Sequence, residues 1–152
     1  AVDSEALVVA TQDWHPPSTP HFAKDGGIWP VHCVAGTWGA EFHPGLQVPP
    51  DAPIVRKGSN GEDGYSGFGV RDPISGEETP TPLADMLHER GIDRLVVCGL
   101  ATDYCVSATA LDGVRLGFLV QLLAGGHAAV NLDPADGDRA VETMRAAGVI
   151  VD

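Results

Sequence analysis

The chain has 152 residues and a formal net charge of −12 at neutral pH, a length that suits one domain of the usual ~100–200 residues. The acidic balance argues against a nucleic-acid groove, which needs clustered Lys and Arg, and against docking on an anionic membrane surface. Hydrophobic residues make up 43%, enough for a packed core.

The predicted elements alternate. A first apolar run, Leu7–Thr11, reads as a strand, and Ile54–Lys57 as another. The stretch between them is too long for an idle connection and is rich in Gly and Pro, so it is expected to carry function. Pro82–Arg90 reads as a short helix, with Thr81 as its cap and Gly91 as its stop. Arg94–Gly99 is a β-branched, apolar run of the kind buried on both sheet faces. Tyr104–Arg115 carries Val106, Ala110, Leu111 and Val114 at helical spacing, and Gly117 stands where that helix stops. Phe118–Leu123 is the next strand. Asp133-Pro134 reads as an N-cap followed by a first-turn proline. The helix it opens runs through Val141, Met144 and Ala147 to Gly148, and Val149–Val151 is a last strand. Strand–helix–strand repetition implies right-handed crossovers and a parallel sheet, so the expected fold is one α/β domain over residues 1–152. No apolar run approaches the roughly 18 residues of a membrane span, and no signal peptide is read at the start. Cys33, Cys98 and Cys105 do not form a disulfide framework, which fits a reducing, cytoplasmic compartment.

Open α/β sheets place ligands at the carboxyl ends of their strands. Three groups fall there: Asp13 and His15 after the first strand, Lys57 at the end of the second, and Cys105 in the turn after Gly99. Asp13 and His15, at i and i+2, face the same way in extended chain. His21 and His32 follow in the same loop. An Asp/His set without thiolate suits Zn²⁺, Fe²⁺ or Mn²⁺ and leaves room for substrate. The plainer reading, that surface loops collect histidines and Asp13 caps a turn, stands beside it. His43 and His88 lack such company and read as ordinary, with His88 solvated on its helix.

Cys105 at a helix start feels the positive end of the macrodipole, which favours its thiolate. The turn before it offers backbone N–H groups that could line an oxyanion site. Cys98, in mid-strand, reads as a buried structural cysteine. Cys33 is not expected as a ligand, because neighbours in an extended loop point apart. Lys57 is either a solvated strand-end lysine or a cation that favours the thiolate. The glycine-rich stretch Gly58–Gly69 lacks the ending of a phosphate loop and reads as a cover or a turn-rich excursion. Trp29, near the histidines, could stack on a flat aromatic substrate.

Ala10-Thr-Gln-Asp-Trp-His15, Trp29-Pro-Val-His-Cys33, Gly36-Thr-Trp-Gly-Ala-Glu-Phe-His43, Lys57-Gly58, Tyr65-Ser-Gly-Phe68 and Gly99-Leu-Ala-Thr-Asp-Tyr-Cys105 together resemble the nicotinamidase/pyrazinamidase branch of the isochorismatase-like cysteine hydrolases. The resemblance runs from about Val8 to the end. It implies a Rossmann-like, three-layer α/β/α fold with a parallel sheet. It implies Cys105 as the nucleophile that forms a thioester while ammonia leaves, and Lys57 as the catalytic lysine. Ala101 and Cys105 would supply oxyanion N–H groups, with a cis peptide before Ala101. Asp13, His15 and His32 match the metal ligands, with His21 as a fourth in some members, and the metal would hold a pyridine nitrogen. Trp29, Ala101 and Tyr65 match the substrate pocket.

The implied reaction is hydrolysis of nicotinamide, and of pyrazinamide-like amides, to the acid and ammonia. The implied place in metabolism is NAD salvage, and the implied partner is the small-molecule substrate, alone or within a homo-oligomer. Two departures accompany the resemblance. The family's first strand and a helix are not found, and with them the catalytic Asp of an apolar-Asp-x-Gln-x-Asp-Phe motif; neither Asp3 nor Glu5 can stand in. Gln121 and Leu123 replace an acidic and a hydroxyl residue, which puts the bracing around Gly125-Gly126 in question. Another small-amide cysteine hydrolase, or a non-catalytic metal-binding remnant, are the alternative expectations.

Overall fold

The computed structural model describes residues 6–151; Asp3 and Glu5 lie outside them. The described residues group into two compact units. One comprises the chain up to Gly64 together with Val70–Thr79; the other comprises Tyr65–Gly69 and the chain from Pro80.

In the first unit, β1 (Ala10–Asp13) pairs in parallel with β2 (Ile54–Lys57). β2 has its expected bounds. β1 lies a little later than its apolar run, because pairing starts where Ala10 N–H donates to the Pro53 carbonyl at 3.0 Å. Parallel strands need a long crossover. Here it is a loop with two short 3₁₀ turns, Ala23–Asp25 and Trp38–Ala40, rather than an α-helix. The loop replaces helical packing by its own core. Phe22 is fully buried in it, Ala40 and Val55 nearly so. The buried amide of Gln12 ties the loop down by donating to the Ala40 carbonyl at 2.8 Å. Arg56 donates to Gln12 Oε1 at 3.1 Å and lies 3.8 Å over the Trp14 ring, a cation–π contact. A ribbon of β3 (Gly69–Arg71) and β4 (Glu78–Pro80), which no sequence pattern announced, lies where the chain passes between the units.

The second unit holds a parallel sheet in the order β5-β6-β7: Arg94–Leu100, Leu119–Ala128 and Ile150–Val151. Three helices accompany it: α1 (Leu83–Glu89), α2 (Ser107–Arg115) and α3 (Asp136–Ala146). The expected α/β class with parallel sheets is thus the one observed. Gly117 stops α2 as the sequence implied: it adopts φ +90°, and Phe118 N–H reaches back to the Gly113 carbonyl at 3.0 Å. A Cβ on Gly113 would stand 2.9 Å from Val120 and 3.3 Å from Leu95, so the absence of a side chain lets α2 lie close against that sheet face. Val120, Leu122, Ala110 and Met144 form the core there. Phe68 and Phe118 stack at 5.7 Å beside it.

Four expectations need correction. β5 is not buried on both faces: Val96, Cys98 and Leu100 alternate outward, Leu100 at 75% exposure. Cys98 is therefore an exposed cysteine, not a buried structural one, because its parity puts it on the face opposite α2. α3 begins at Asp136, not at Pro134. Asp133 instead forms a turn, in which Asp136 Oδ2 accepts from Asp133 N–H at 2.7 Å and Asp133 Oδ1 from Ala135 N–H at 3.0 Å. β6 runs on to Ala128, through Gly125-Gly126, where the apolar run was expected to end at Leu123. Its pairing with β5 slips between Leu122 and His127, a bulge of the kind glycines permit.

Truncating Leu122 to Ala, at 1% exposure, should cost about 2–5 kcal/mol of stability. Leu123→Ala next to it, at 45% exposure, should cost less than about 1 kcal/mol. Urea unfolding of the two variants checks this; similar losses would mean that the two faces of β6 are equally packed.

Candidate active site

The register Asp13↔Lys57 puts these two side chains side by side at the carboxyl ends of β1 and β2. Lys57 is 3% exposed, so the solvated reading fails. Its ammonium donates to Asp13 Oδ1 and to the Gly64 carbonyl, the pairing that a buried cation requires. Gly58 follows at φ +74°. A Cβ there would come within 2.4 Å of His15 Cε1 and 2.5 Å of its Nδ1, so the imidazole occupies the room a side chain would take.

His15 is held by its backbone, which donates to the Cys33 carbonyl at 3.0 Å and accepts from Ala35 N–H at 2.8 Å. Its ring, 1% exposed, stacks on His21 at 4.7 Å and meets His32 edge-on at 5.1 Å, with Phe22 behind. One ligand atom from each of His15, His21 and His32 lies within 4.8 Å of the others. Trp29 stands at 6.3 Å from His21 and 6.2 Å from His32. Burial, and then the neighbouring His21, push the His15 pKa down to about 4 against the opposing pull of Asp13. The imidazole is therefore neutral at pH 7, as a metal ligand must be. Among the described residues, His15 Nδ1 is buried with no hydrogen-bond partner. An orphaned buried nitrogen inside a cluster of imidazoles fits a divalent cation such as Zn²⁺.

Asp13, placed by the sequence among the ligands, is drawn by its register to Lys57, and the cluster itself consists of the three histidines. Sequence reasoning missed Asp63, whose Oδ1 lies 2.6 Å from His21 Nδ1. It also missed Phe22 at the back of the cage. The only signal for Asp63 was its place in the Glu62-Asp63 acidic pair of a glycine-rich excursion.

In the second unit the Leu100–Ala101 peptide is cis, and Thr102–Val106 forms a π-helical turn ahead of α2. Cys105, half-buried, sits in that turn. The Ala101 carbonyl accepts from Tyr104 N–H at 3.1 Å and Val106 N–H at 3.0 Å. Thr102 Oγ1 meets His127 Nδ1 at 2.9 Å. Asp103 accepts from Val130 N–H at 3.0 Å and Asn131 N–H at 2.8 Å. His127, brought level with Gly99 by the β6 bulge, thus braces the turn from the segment whose bracing Gln121 and Leu123 left in question. Tyr65 lies 5.8 Å from Tyr104. His43 and His88 are exposed; His43 Nδ1 accepts from Gly45 N–H at 3.0 Å and His88 stacks on Phe118 at 4.9 Å.

The isochorismatase domain matches residues 1–152. The chain belongs to the isochorismatase family. It is 41% identical to the nicotinamidase/pyrazinamidase of Mycobacterium tuberculosis over 146 residues, covering 93% of this chain and 74% of that protein. The crystal structure of a pyrazinamidase from Pyrococcus horikoshii in complex with zinc superposes with a TM-score of 0.83 at 42% identity, over 97% of this chain and 75% of that one. PnC1 from L. infantum, in complex with nicotinate, superposes at 0.87 with 40% identity, over 96% and 71%. Among the described residues of this family member, no helix is long and apolar enough to cross a membrane.

In the metal-free protein His15 titrates near 4 when folded and near 6.5 when unfolded. Between those values the unfolded chain binds more protons, so this residue's contribution to stability is lost as the pH falls from about 6.5 to 4. The stability advantage of the parent over His15→Gln should shrink across that window in urea unfolding of chelator-treated protein. A pH-independent difference would contradict the burial argument.

Proposed function

We propose that this protein is an amidohydrolase that converts nicotinamide, and related ring carboxamides such as pyrazinamide, to the acid and ammonia. The observation that carries the reading is the cluster of the buried His15 and His21 with the half-buried His32, beside Trp29, in a chain whose relatives include a zinc-bound pyrazinamidase and a nicotinate complex.

In this reading Cys105 is the nucleophile. Its Sγ bonds to the carboxamide carbon, the C–N bond breaks, and the nitrogen departs as ammonia with the thiol proton. Water then cleaves the thioester, releasing the acid and restoring the thiol. The start of a helix lowers the cost of the thiolate, and the N–H groups of Ala101 and Cys105 are assigned to the oxyanion. Lys57, a buried ammonium paired with Asp13, is assigned the part of the catalytic lysine by the family resemblance. His15, His21 and His32 would hold the divalent ion, with Asp13 as a further ligand, and the ion would supply a Lewis-acid anchor for a ring nitrogen. Trp29 offers a flat face for an aromatic ring at the histidines, and Tyr65 is assigned to substrate binding by the family resemblance.

Ammonia release from nicotinamide should fall by about a thousandfold or more in Cys105→Ala, while metal content stays at the parent level. A panel of pyridine, pyrazine and non-aromatic amides should show turnover confined to rings with a suitably placed nitrogen. Substantial activity in Cys105→Ala, or equal turnover of non-aromatic amides, would overturn the assignment.

A further inference from the structure

An acidic side chain reaches His21 from a loop that the reaction scheme does not use. The His21 ring is buried, and its Nδ1 lies 2.6 Å from Asp63 Oδ1. A carboxylate only accepts, so the hydrogen in this contact belongs to Nδ1. Ligation of an ion by the same ring then falls to Nε2.

Asp63 is itself fixed by its backbone, which donates to the Arg71 carbonyl at 2.7 Å and accepts from Arg71 N–H at 3.0 Å. Thr19 ties the two loops together: its Oγ1 donates to the Gly61 carbonyl at 2.8 Å and accepts from His21 N–H at 3.2 Å. The backbone that carries the carboxylate is thus fixed by contacts that do not involve the imidazole. His32 has the corresponding arrangement with a neutral acceptor, its Nδ1 lying 2.8 Å from the Pro30 carbonyl. A carboxylate does more than a carbonyl. It makes the imidazole a more basic ligand and sets negative charge behind a ring that faces a divalent cation.

We propose that Asp63 is a positioning residue of the metal centre, holding His21 in the Nδ1-protonated tautomer with Nε2 turned to the ion. The proposal rests on the metal reading of the histidine cage and extends it by one residue outward. Asp63 touches neither substrate nor reacting atoms and acts only through His21.

The test is zinc affinity, measured by competition with a chromophoric chelator, for Asp63→Ala and Asp63→Asn in the parent and in a His21→Ala background. Circular dichroism checks that each variant is folded. In the parent, Asp63→Ala should weaken zinc binding by about 10–100-fold. Asp63→Asn, which keeps an acceptor and loses the charge, should weaken it less. Neither change should have a further effect once His21 is gone. Unchanged affinity in Asp63→Ala would overturn the proposal. An equal loss in both backgrounds would also overturn it, because Asp63 would then act on the loop rather than through His21. A parent that takes up no zinc would remove the metal reading and this proposal together, a result distinct from the other two.

Discussion

A buried ammonium has to be paired, and the parallel register of β1 and β2 is what pairs the one on Lys57. At 3% exposure, stripping its partner would cost about 3–5 kcal/mol. The strand ends meet residue for residue, Asp13 opposite Lys57, so the carboxylate arrives by backbone geometry rather than by loop flexibility. The Gly64 carbonyl closes the second side. Because Lys57 is fixed, Gly58 is fixed next to it, and the space above Gly58 is filled by His15. One pair of short strands therefore sets the cation and the first imidazole of the cage together.

From there the crossover loop does what a helix does elsewhere. It folds around Phe22, brings His21 and His32 against His15, and lays Trp29 over them. The electrostatics run against the bulk composition. In a chain of net charge −12, this corner buries the Lys57 cation and the uncharged ring of His15. Desolvation keeps His15 uncharged, and acidic groups enter singly, Asp13 at Lys57 and Asp63 at His21. A carboxylate behind His21 and a carbonyl behind His32 give a preorganised donor set.

The sequence was most legible where a period or a stop residue was strong. β2 and the glycine after α2 stand as read, and α1 and β5 differ from their expected bounds by a residue or so. It was least legible where tertiary pairing overrides local signals. Phe118–Leu123 read as a whole strand, yet β6 continues through a bulge around Gly125-Gly126 that carries His127 to Thr102. Cys98 looked buried because β5 is apolar, yet strand parity turns it outward. For the site, loop spacing grouped the histidines but could not show that Asp13 turns to Lys57, since that follows from a register between segments 44 residues apart. Asp63 was hidden for the same reason: its partner lies 42 residues away.

The central claim is that Cys105 carries the acyl group of a ring carboxamide. The most direct measurement is rapid acid quench of the protein during turnover of nicotinamide, followed by mass analysis of its cysteine peptides. The account predicts a nicotinoyl thioester on the peptide containing Cys105 and none on those containing Cys33 or Cys98. Nicotinate formation with no acyl group on Cys105 at any quench time would contradict it.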